Sequence, residues 1–348
     1  MKTVVAKVDA SNPDKKVIAR AARVIRHGGI VIFPTETVYG IGADAYNTKA
    51  VKRIYKIKGR PADNPSMIHV SSMEMARQIG KFPDKYARII EKLWPAPISF
   101  VVEAKKGLGR KEVSIRMPEH KVALELIKAS GTPIAAPSAN ISKRPSSTTA
   151  KHALGYFNGK VEFILDAGHS QKGIESTILD LRTFEIQRPG AFPVESITEA
   201  FGKKPKVTKI AKGIVEAKRA VAPGMKYKHY APKTPLFLYT GSPKLIKDIT
   251  AGLGKDAVFI GSSESCRIAK GNGCAAISLG SRDKLDTIAK SLFDALIKLD
   301  SMNAKFAIAE SFPENGIGLG IMNRLRKASS HKYFSTKRQF EKLYRLQE

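Results

Sequence analysis

Two cations, Lys58 and Arg60, flank Gly59 in the stretch YKIKGRPADNPSMIH (residues 55–69). An ammonium and a guanidinium fork at one turn can both contact phosphate oxygens. Basic residues near a helix C-terminus are also favoured by the helix dipole, so a capped, solvent-exposed helix end is the alternative interpretation. The choice between the two depends on the other polar residues of the chain.

Further hydroxyl, amide and cationic side chains lie at glycine- or proline-flanked ends of predicted strands. These segments are PTETVYG (34–40), PSAN (137–140), SSTT (146–149), GIESTILD (173–180) and QRPG (187–190). Small residues let a ligand approach the backbone closely, and Ser, Asn and Arg supply donors for dense negative charge. Arg116 alternates in phase with Ser114 in a predicted strand over 113–117, which indicates either an edge residue or a buried anion clamp.

Several standard catalytic patterns are absent from the sequence. It contains no G-x-x-x-x-G-K-[ST] phosphate loop, no H-E-x-x-H metal motif and no G-x-S-x-G nucleophile elbow. The remaining polar residues favour phosphate binding and charge stabilisation over covalent nucleophilic chemistry.

Alternating strands and helices must bring these segments together. Strands are predicted over 3–8, 30–33, 67–70, 98–103 and 113–117, and helices over 14–27, 49–58, 84–94 and 119–129. Thr48 is the predicted N-cap of the helix over 49–58, and Pro61 prevents its continuation. Residues 34–44, which follow a buried apolar strand, are predicted to form a ligand loop.

The pattern predicts an α/β protein with two domains. The first spans residues 1–201, a Lys-rich linker with PGMKYKHYAP spans 202–234, and the second spans 235–348. Alternation after residue 235 predicts a smaller, doubly wound parallel sheet of the Rossmann-like kind. In that part, GIGLG (316–320) is a weak, incomplete match to a dinucleotide-binding turn.

Composition limits the class of protein and its partners. The formal net charge of +29 attracts polyanions, either nucleic acid or nucleotide phosphates, although solubility is an alternative explanation. Apolar runs stay well short of the roughly 20 residues that span a membrane. The N-terminus does not resemble a secretory signal, and two cysteines fit a reducing compartment. We therefore expect a cytoplasmic protein without a membrane partner.

The ordered set of motifs resembles the threonylcarbamoyl-AMP synthase family. It comprises PTETVYG, Lys58-x-Arg60, Ser138-x-Asn140, STI-x-D, RPG and PGMKYKHYAP, between about Gly28 and Pro232. The resemblance implies a YrdC-like first domain, with a twisted mixed sheet, helices and a basic cleft, followed by a second domain after the linker.

The resemblance also implies an activity and its site. L-threonine, bicarbonate or CO2, and ATP would yield threonylcarbamoyl-adenylate and pyrophosphate, and other proteins would use this product to modify tRNA beside the anticodon. Mg2+ would accompany ATP by bridging its phosphates. The residues implied for the nucleotide are Lys58, Arg60, Asn64, Ser138, Asn140, Ser146, Arg188 and Tyr230, with Lys58 and Arg60 stabilising charge in catalysis. Those implied for threonine are Thr37, His69, Arg116, Ala136 and Ser176, with Arg116 pairing the carboxylate and Tyr230 acting as a lid.

Two other functions are compatible with the same residues. One is a related domain that forms an adenylate from carbamoyl phosphate, usually within longer chains that carry acylphosphatase-like and zinc-finger segments. The other is an RNA-binding accessory protein without catalysis, motivated by the net charge. Threonine-dependent turnover separates both from the first hypothesis.

Overall fold

The computed structural model describes residues 2–61, 64–105, 109–215, 229–254 and 256–345. Residues 223–228 of the predicted PGMKYKHYAP lid lie outside these ranges. Within the described ranges, no helix is long and apolar enough to cross a membrane.

The first part of the chain forms a large twisted mixed sheet with helices on its faces. Its strands are β1 (Val4–Lys7), β2 (Val31–Phe33), β3 (Gly40–Asp44), β4 (Ile68–His69), β5 (Gly80–Lys81), β6 (Ile98–Ala104), β7 (Glu112–Arg116), β8 (Ile134–Ala135), β9 (Phe163–Asp166), β10 (Thr177–Asp180), β11 (Glu185–Arg188) and β12 (Lys206–Val207). Its helices are α1 (Lys15–Arg26), α2 (Thr48–Lys58), α3 (Met73–Ile79), α4 (Asp84–Leu93), α5 (Lys121–Ser130), α6 (Ala150–Phe157) and α7 (Val194–Phe201). The strand order is β1-β9-β2-β3-β8-β4-β7-β6-β10-β11-β12, with β5 added beside β6.

The second part forms a smaller parallel sheet, as predicted. Its strands are β13 (Leu236–Tyr239), β14 (Ala257–Gly261), β15 (Ala275–Ser278), β16 (Phe306–Glu310) and β17 (Tyr333–Phe334), in the order β15-β14-β16-β13-β17. Its helices are α8 (Ile246–Thr250), preceded by a 3₁₀ turn at Pro243–Leu245, then α9 (Ser263–Gly271), α10 (Leu285–Leu299), α11 (Gly318–Ala328) and α12 (Lys337–Arg345). Below, we call the two parts the N-terminal and C-terminal domains.

Two local predictions differ from the structure in their bounds. The N-cap of α2 is Asn47, whose side chain accepts a hydrogen bond from the Ala50 N–H, so Thr48 already lies inside the helix. The predicted ligand loop over 34–44 is shorter, because its second half forms β3. A Cβ on Gly42 would lie 2.5 Å from Ile134 and 2.7 Å from Phe33, so this glycine permits close packing in the sheet.

Gly318 and Gly320 of GIGLG also permit close packing, which explains them without a dinucleotide-binding turn. A Cβ on Gly318 would lie 1.9 Å from the Pro313 carbonyl oxygen, and one on Gly320 would lie 2.9 Å from the Gly190 carbonyl oxygen. Helix α11 is therefore packed closely against the N-terminal domain at Gly320.

The two domains share a continuous hydrophobic core. Val38, Ile174, Ala191 and Tyr230 pack in the same buried cluster as the interior of the C-terminal domain. In the segment predicted as linker, β12 pairs with β11 and so extends the larger sheet. The predicted domain bounds themselves stay a prediction.

Polar contacts reinforce this domain interface around Asp294 on α10. His169 of the N-terminal domain places Nε2 2.5 Å from Asp294 Oδ2 and Nδ1 2.8 Å from the Ser170 carbonyl oxygen. Both partners are acceptors, so the geometry suits an imidazolium that donates from both nitrogens. The hydrogen bond to Asp294 raises the pKa of His169, against the effect of burial and of nearby Lys290. His152 also faces Asp294, at 3.6 Å from Nδ1 to Oδ1.

We expect this contact to be pH-dependent. Because folding raises the pKa of His169, its stabilising effect is complete below the unfolded value of about 6.5 and is lost as pH rises through the folded value. The difference in unfolding free energy between wild type and His169→Gln should thus be larger at about pH 6 than at about pH 8.5 in urea titrations. An equal difference at both pH values would contradict a raised His169 pKa in the folded protein.

Candidate active site

A cavity beside β2, the end of α2 and the β8–α6 loop collects the predicted site residues. All of them except Ser146 line it: Thr37, Lys58, Arg60, Asn64, His69, Arg116, Ala136, Ser138, Asn140, Ser176, Arg188 and Tyr230. These residues come from widely separated segments, so the fold itself brings them together.

Lys58 is buried at the last turn of α2, which Gly59 ends in the left-handed conformation. Its Nζ donates to the Ser138 carbonyl oxygen at 2.6 Å and to that of Asn140. Burial, helped by the charge of Arg60, lowers the pKa of Lys58 well below its usual value, while Glu175 opposes the change. The ammonium therefore fixes the Ser138–Asn140 loop as well as lining the cavity.

Arg60 is held by the loop that follows it. Its Nε donates to the Asn64 carbonyl oxygen at 2.8 Å, and Nη2 donates to Asn64 Oδ1 at 2.8 Å. Burial lowers the pKa of Arg60 to about 10, with Arg188 adding to the effect and Tyr55 opposing it. The guanidinium thus remains charged near neutral pH, in a fixed position at the cavity wall.

The Ser138–Asn140 loop is ordered by its own hydrogen bonds. Ser138 Oγ donates to Asn140 Oδ1 at 2.6 Å, and Asn140 Nδ2 donates to the carbonyl oxygens of Ile141 and Arg144, both at 2.9 Å. A loop that is already satisfied in this way needs little reorganisation when a ligand enters.

Arg116 lies in β7, an interior strand of the sheet between β4 and β6, so the edge-residue interpretation is wrong and the anion clamp stays a prediction. It is 3% exposed, and its Nη1 donates to Thr37 Oγ1 at 2.8 Å. Its Nη2 lies 2.5 Å from Oε1 of Glu36, a fully buried carboxylate. Glu36 was missed in the sequence because nothing in PTETVYG shows which strand its carboxylate would face.

His69 lies at the same end of the cavity, and its ring makes an edge-to-face contact with the ring of Phe33. Burial, with a smaller effect of the Arg116 charge, lowers the pKa of His69 to about 3, so the ring is neutral at physiological pH. Among the described residues, its Nδ1 has no hydrogen-bond partner. A buried polar atom of this kind is suited to a hydrogen bond with a ligand.

Arg188 and Ser176 form the facing wall. Arg188 Nη2 donates to the Ser176 carbonyl oxygen at 2.8 Å, and Ser176 Oγ lies 2.9 Å from Ser99 Oγ. Burial lowers the pKa of Arg188, while Tyr230 and Glu175 oppose the change. Arg188, Arg60 and Lys58 thus place three basic side chains in this part of the cavity.

Ser146 departs from the predicted arrangement. It is fully buried behind the wall, and its Oγ donates to Glu175 Oε1 at 2.6 Å. Glu175, which the sequence reasoning missed, lines the cavity in its place. Burial would raise the pKa of Glu175, but Arg324, Arg188 and Ser146 outweigh it and lower the pKa overall.

Tyr230 closes one side of the cavity from the end of the linker. It is 4% exposed and has a φ of +62°, a conformation that non-glycine residues rarely adopt. Its ring lies 5.3 Å from that of Phe293 on α10 and 5.8 Å from the Arg324 guanidinium. The C-terminal domain thus supports the residue predicted to act as a lid.

Comparison with known proteins covers both domains. The family described as "Telomere recombination" matches residues 23–190, and that described as "Threonylcarbamoyl-AMP synthase, C-terminal domain" matches residues 192–330. The threonylcarbamoyl-AMP synthase of Bacillus subtilis is 39% identical over 90% of this chain and 92% of its own length. That of Pyrococcus abyssi is 40% identical over 90% and 94%.

The chain belongs to the threonylcarbamoyl-AMP synthase family. The crystal structure of P. abyssi Sua5 complexed with L-threonine has a TM-score of 0.87 and 38% identity, and the match covers 96% of this chain and all of that one. The predicted family, the α/β fold with its second domain and the enzyme class are therefore confirmed. The roles of individual site residues stay predictions.

The Mg2+ expected in this family has no resident site of its own among the described residues. They include no group of His, Cys, Asp or Glu side chains that could hold a metal ion. The carboxylate at the cavity wall, Glu175, is already engaged by Ser146 and Arg324. Binding of Mg2+ together with ATP stays a prediction.

Proposed function

We propose that this enzyme forms threonylcarbamoyl-adenylate from L-threonine, ATP and bicarbonate or CO2, and releases pyrophosphate. The observation that carries the proposal is one continuous cavity with two chemically different ends. One end offers Arg116, Thr37 and a neutral His69, and the other offers Arg60, Lys58 and Arg188.

The first end suits a small hydroxy amino acid. Arg116 can pair a carboxylate, while Thr37 and His69 can bind hydroxyl or amine groups. L-threonine is bound in the crystal structure of P. abyssi Sua5. Because His69 stays neutral, it can accept a hydrogen bond from the substrate without adding positive charge.

The second end suits the phosphates of ATP. The threonine amine captures CO2 as a carbamate and loses a proton to solvent. A carbamate oxygen then attacks the α-phosphorus, and the bond to pyrophosphate breaks. Arg60 and Arg188 would stabilise the negative charge that develops on the phosphates. No covalent enzyme intermediate is needed, in agreement with a site built from donors and cations.

The test is pyrophosphate release with each substrate omitted in turn. Release should require ATP, L-threonine and bicarbonate together, and carbamoyl phosphate should not replace threonine and bicarbonate. Turnover with ATP and carbamoyl phosphate, in the absence of threonine and bicarbonate, would favour the related carbamoyl-adenylate reaction. Salt-dependent tRNA binding without any turnover would favour the RNA-binding alternative.

The product would serve as an activated acyl donor for the tRNA adenosine beside the anticodon. The net charge of +29 is compatible with direct contact between this enzyme and tRNA. Contact with the proteins that use the product is also compatible with the proposal. This part of the proposal rests on the family resemblance and on the mixed anhydride character of the product.

His69 provides a prediction for the threonine end. We expect His69→Ala to raise the KM for threonine by about tenfold, because a buried hydrogen bond to the substrate would be lost. The KM for ATP should change little, and this provides the internal control. Equal increases in both KM values in steady-state assays would instead indicate a general disturbance of the cavity.

A further inference from the structure

The C-terminal domain reaches the cavity wall through Arg324 on α11. This side chain is fully buried, and its Nε and Nη2 lie 3.0 and 2.9 Å from Glu175 Oε2. Its Nη1 donates to the Pro189 carbonyl oxygen and, at 3.1 Å, to that of Gly320. One guanidinium therefore connects the C-terminal domain to two neighbouring parts of the wall.

Both of those parts adjoin residues of the positive end. Glu175 lines the cavity and accepts the hydrogen bond from Ser146, while Pro189 directly follows Arg188. A Cβ on Gly190 would lie 2.2 Å from the Glu175 carbonyl oxygen, so the turn and Glu175 are packed tightly together. A shift of either part would move the other.

The Glu175–Arg324 ion pair also balances charge in the buried cavity wall. A carboxylate and a guanidinium that are both buried are tolerated when each neutralises the other. Without Arg324, an ionised Glu175 would keep Arg188 and Ser146 but lose its strongest stabilising partner, and would present more negative charge to a ligand that is itself strongly negative. The pair is thus suited to keeping the wall attractive to phosphates.

We propose that Arg324 is a positioning residue for the ATP end of the cavity, so that the C-terminal domain is a working part of the active site. It acts through Glu175 and the Pro189–Gly190 turn and has no assigned contact with the substrate. This inference rests on the proposed function for the identity of the ligand. A role limited to joining the domains is the alternative.

The experiment measures ATP binding to the full-length protein by calorimetry in the absence of threonine. Five proteins are compared: wild type, Arg324→Met, Glu175→Gln, the double variant and Arg326→Met. Arg326 is the matched control, because it lies on the same helix and contacts Glu314 and the Lys212 carbonyl oxygen away from the cavity. Arg324→Gln, which also removes the charge, replaces Arg324→Met in every comparison if the methionine variant is insoluble.

We expect Arg324→Met to weaken ATP binding at least about tenfold, with threonine binding unchanged within about twofold. Adding Glu175→Gln to Arg324→Met should recover part of the lost ATP affinity, because the neutral amide removes the excess negative charge. Wild type and Arg326→Met should bind ATP alike.

Two results would overturn the inference. The first is ATP binding by Arg324→Met within about twofold of wild type. The second is a double variant that loses as much ATP-binding free energy as the two single variants together, as independent structural roles predict. Failure of the proposed function would look different, because wild type itself would then bind no ATP.

Discussion

Replacing Arg60 by alanine should reduce threonine-dependent pyrophosphate release by about 10³-fold or more. Arg60 is fixed by two hydrogen bonds to Asn64 and keeps its charge near neutral pH. A cation held in this way stabilises the developing phosphate charge without reorganisation. Because the side chain is at the cavity wall and not in the core, the variant should fold, which circular dichroism and thermal melting can verify.

Lys56→Ala is the matched control for Arg60→Ala. Lys56 lies in the same last turn of α2, but its side chain is exposed and does not line the cavity. We expect its removal to leave turnover unchanged within about twofold, because exposed charges contribute little. Wild-type turnover in Arg60→Ala would remove Arg60 from the mechanism, and equal losses in both variants would point to damage of the helix end.

Replacing Arg116 by methionine should affect both threonine binding and stability. The variant leaves Glu36 buried and unpaired, and breaking a buried ion pair from one side costs about 3–5 kcal/mol. Threonine binding should become undetectable, since the carboxylate would lose its cationic partner. Urea unfolding measures the loss of stability, and calorimetry with threonine measures the loss of binding.

The double variant Arg116→Met with Glu36→Gln separates these effects. Removal of the unpaired charge should restore most of the unfolding free energy, because a neutral pair of similar volume carries little desolvation penalty. Threonine binding should stay absent. Recovery of binding in the double variant would show that Arg116 does not hold the substrate, and a double variant no more stable than Arg116→Met would show that the ion pair is not the cause.

The predicted site residues came from a family resemblance carried by short motifs, and the structure shows why these motifs were informative. Lys58 ends α2 just before Gly59, and Ser138 and Asn140 lie in a loop after Pro137; such glycine and proline stops are readable in a sequence. The C-terminal parallel sheet was likewise predictable from alternating strands and helices. Local signals thus account for the fold class and for the lining of the cavity.

What sequence could not give is the pairing of distant side chains. Glu36, in the loop after β2, lies beside Arg116 at the end of β7, although three strands separate β2 from β7 in the sheet. Glu175 meets Arg324 across 149 residues of chain. Ser146 points to Glu175 and away from the cavity, since its hydroxyl has a carboxylate partner behind the wall. In each case the partner is chosen by tertiary packing, which no local pattern reports.

The most direct test of the proposed reaction is mass spectrometry of the product formed from ATP, L-threonine and ¹³C-bicarbonate. A product with the mass of threonylcarbamoyl-adenylate that carries the ¹³C label, absent with Arg60→Ala, is the predicted result. Pyrophosphate release without labelled product, or a product that forms without threonine, would contradict the proposed function.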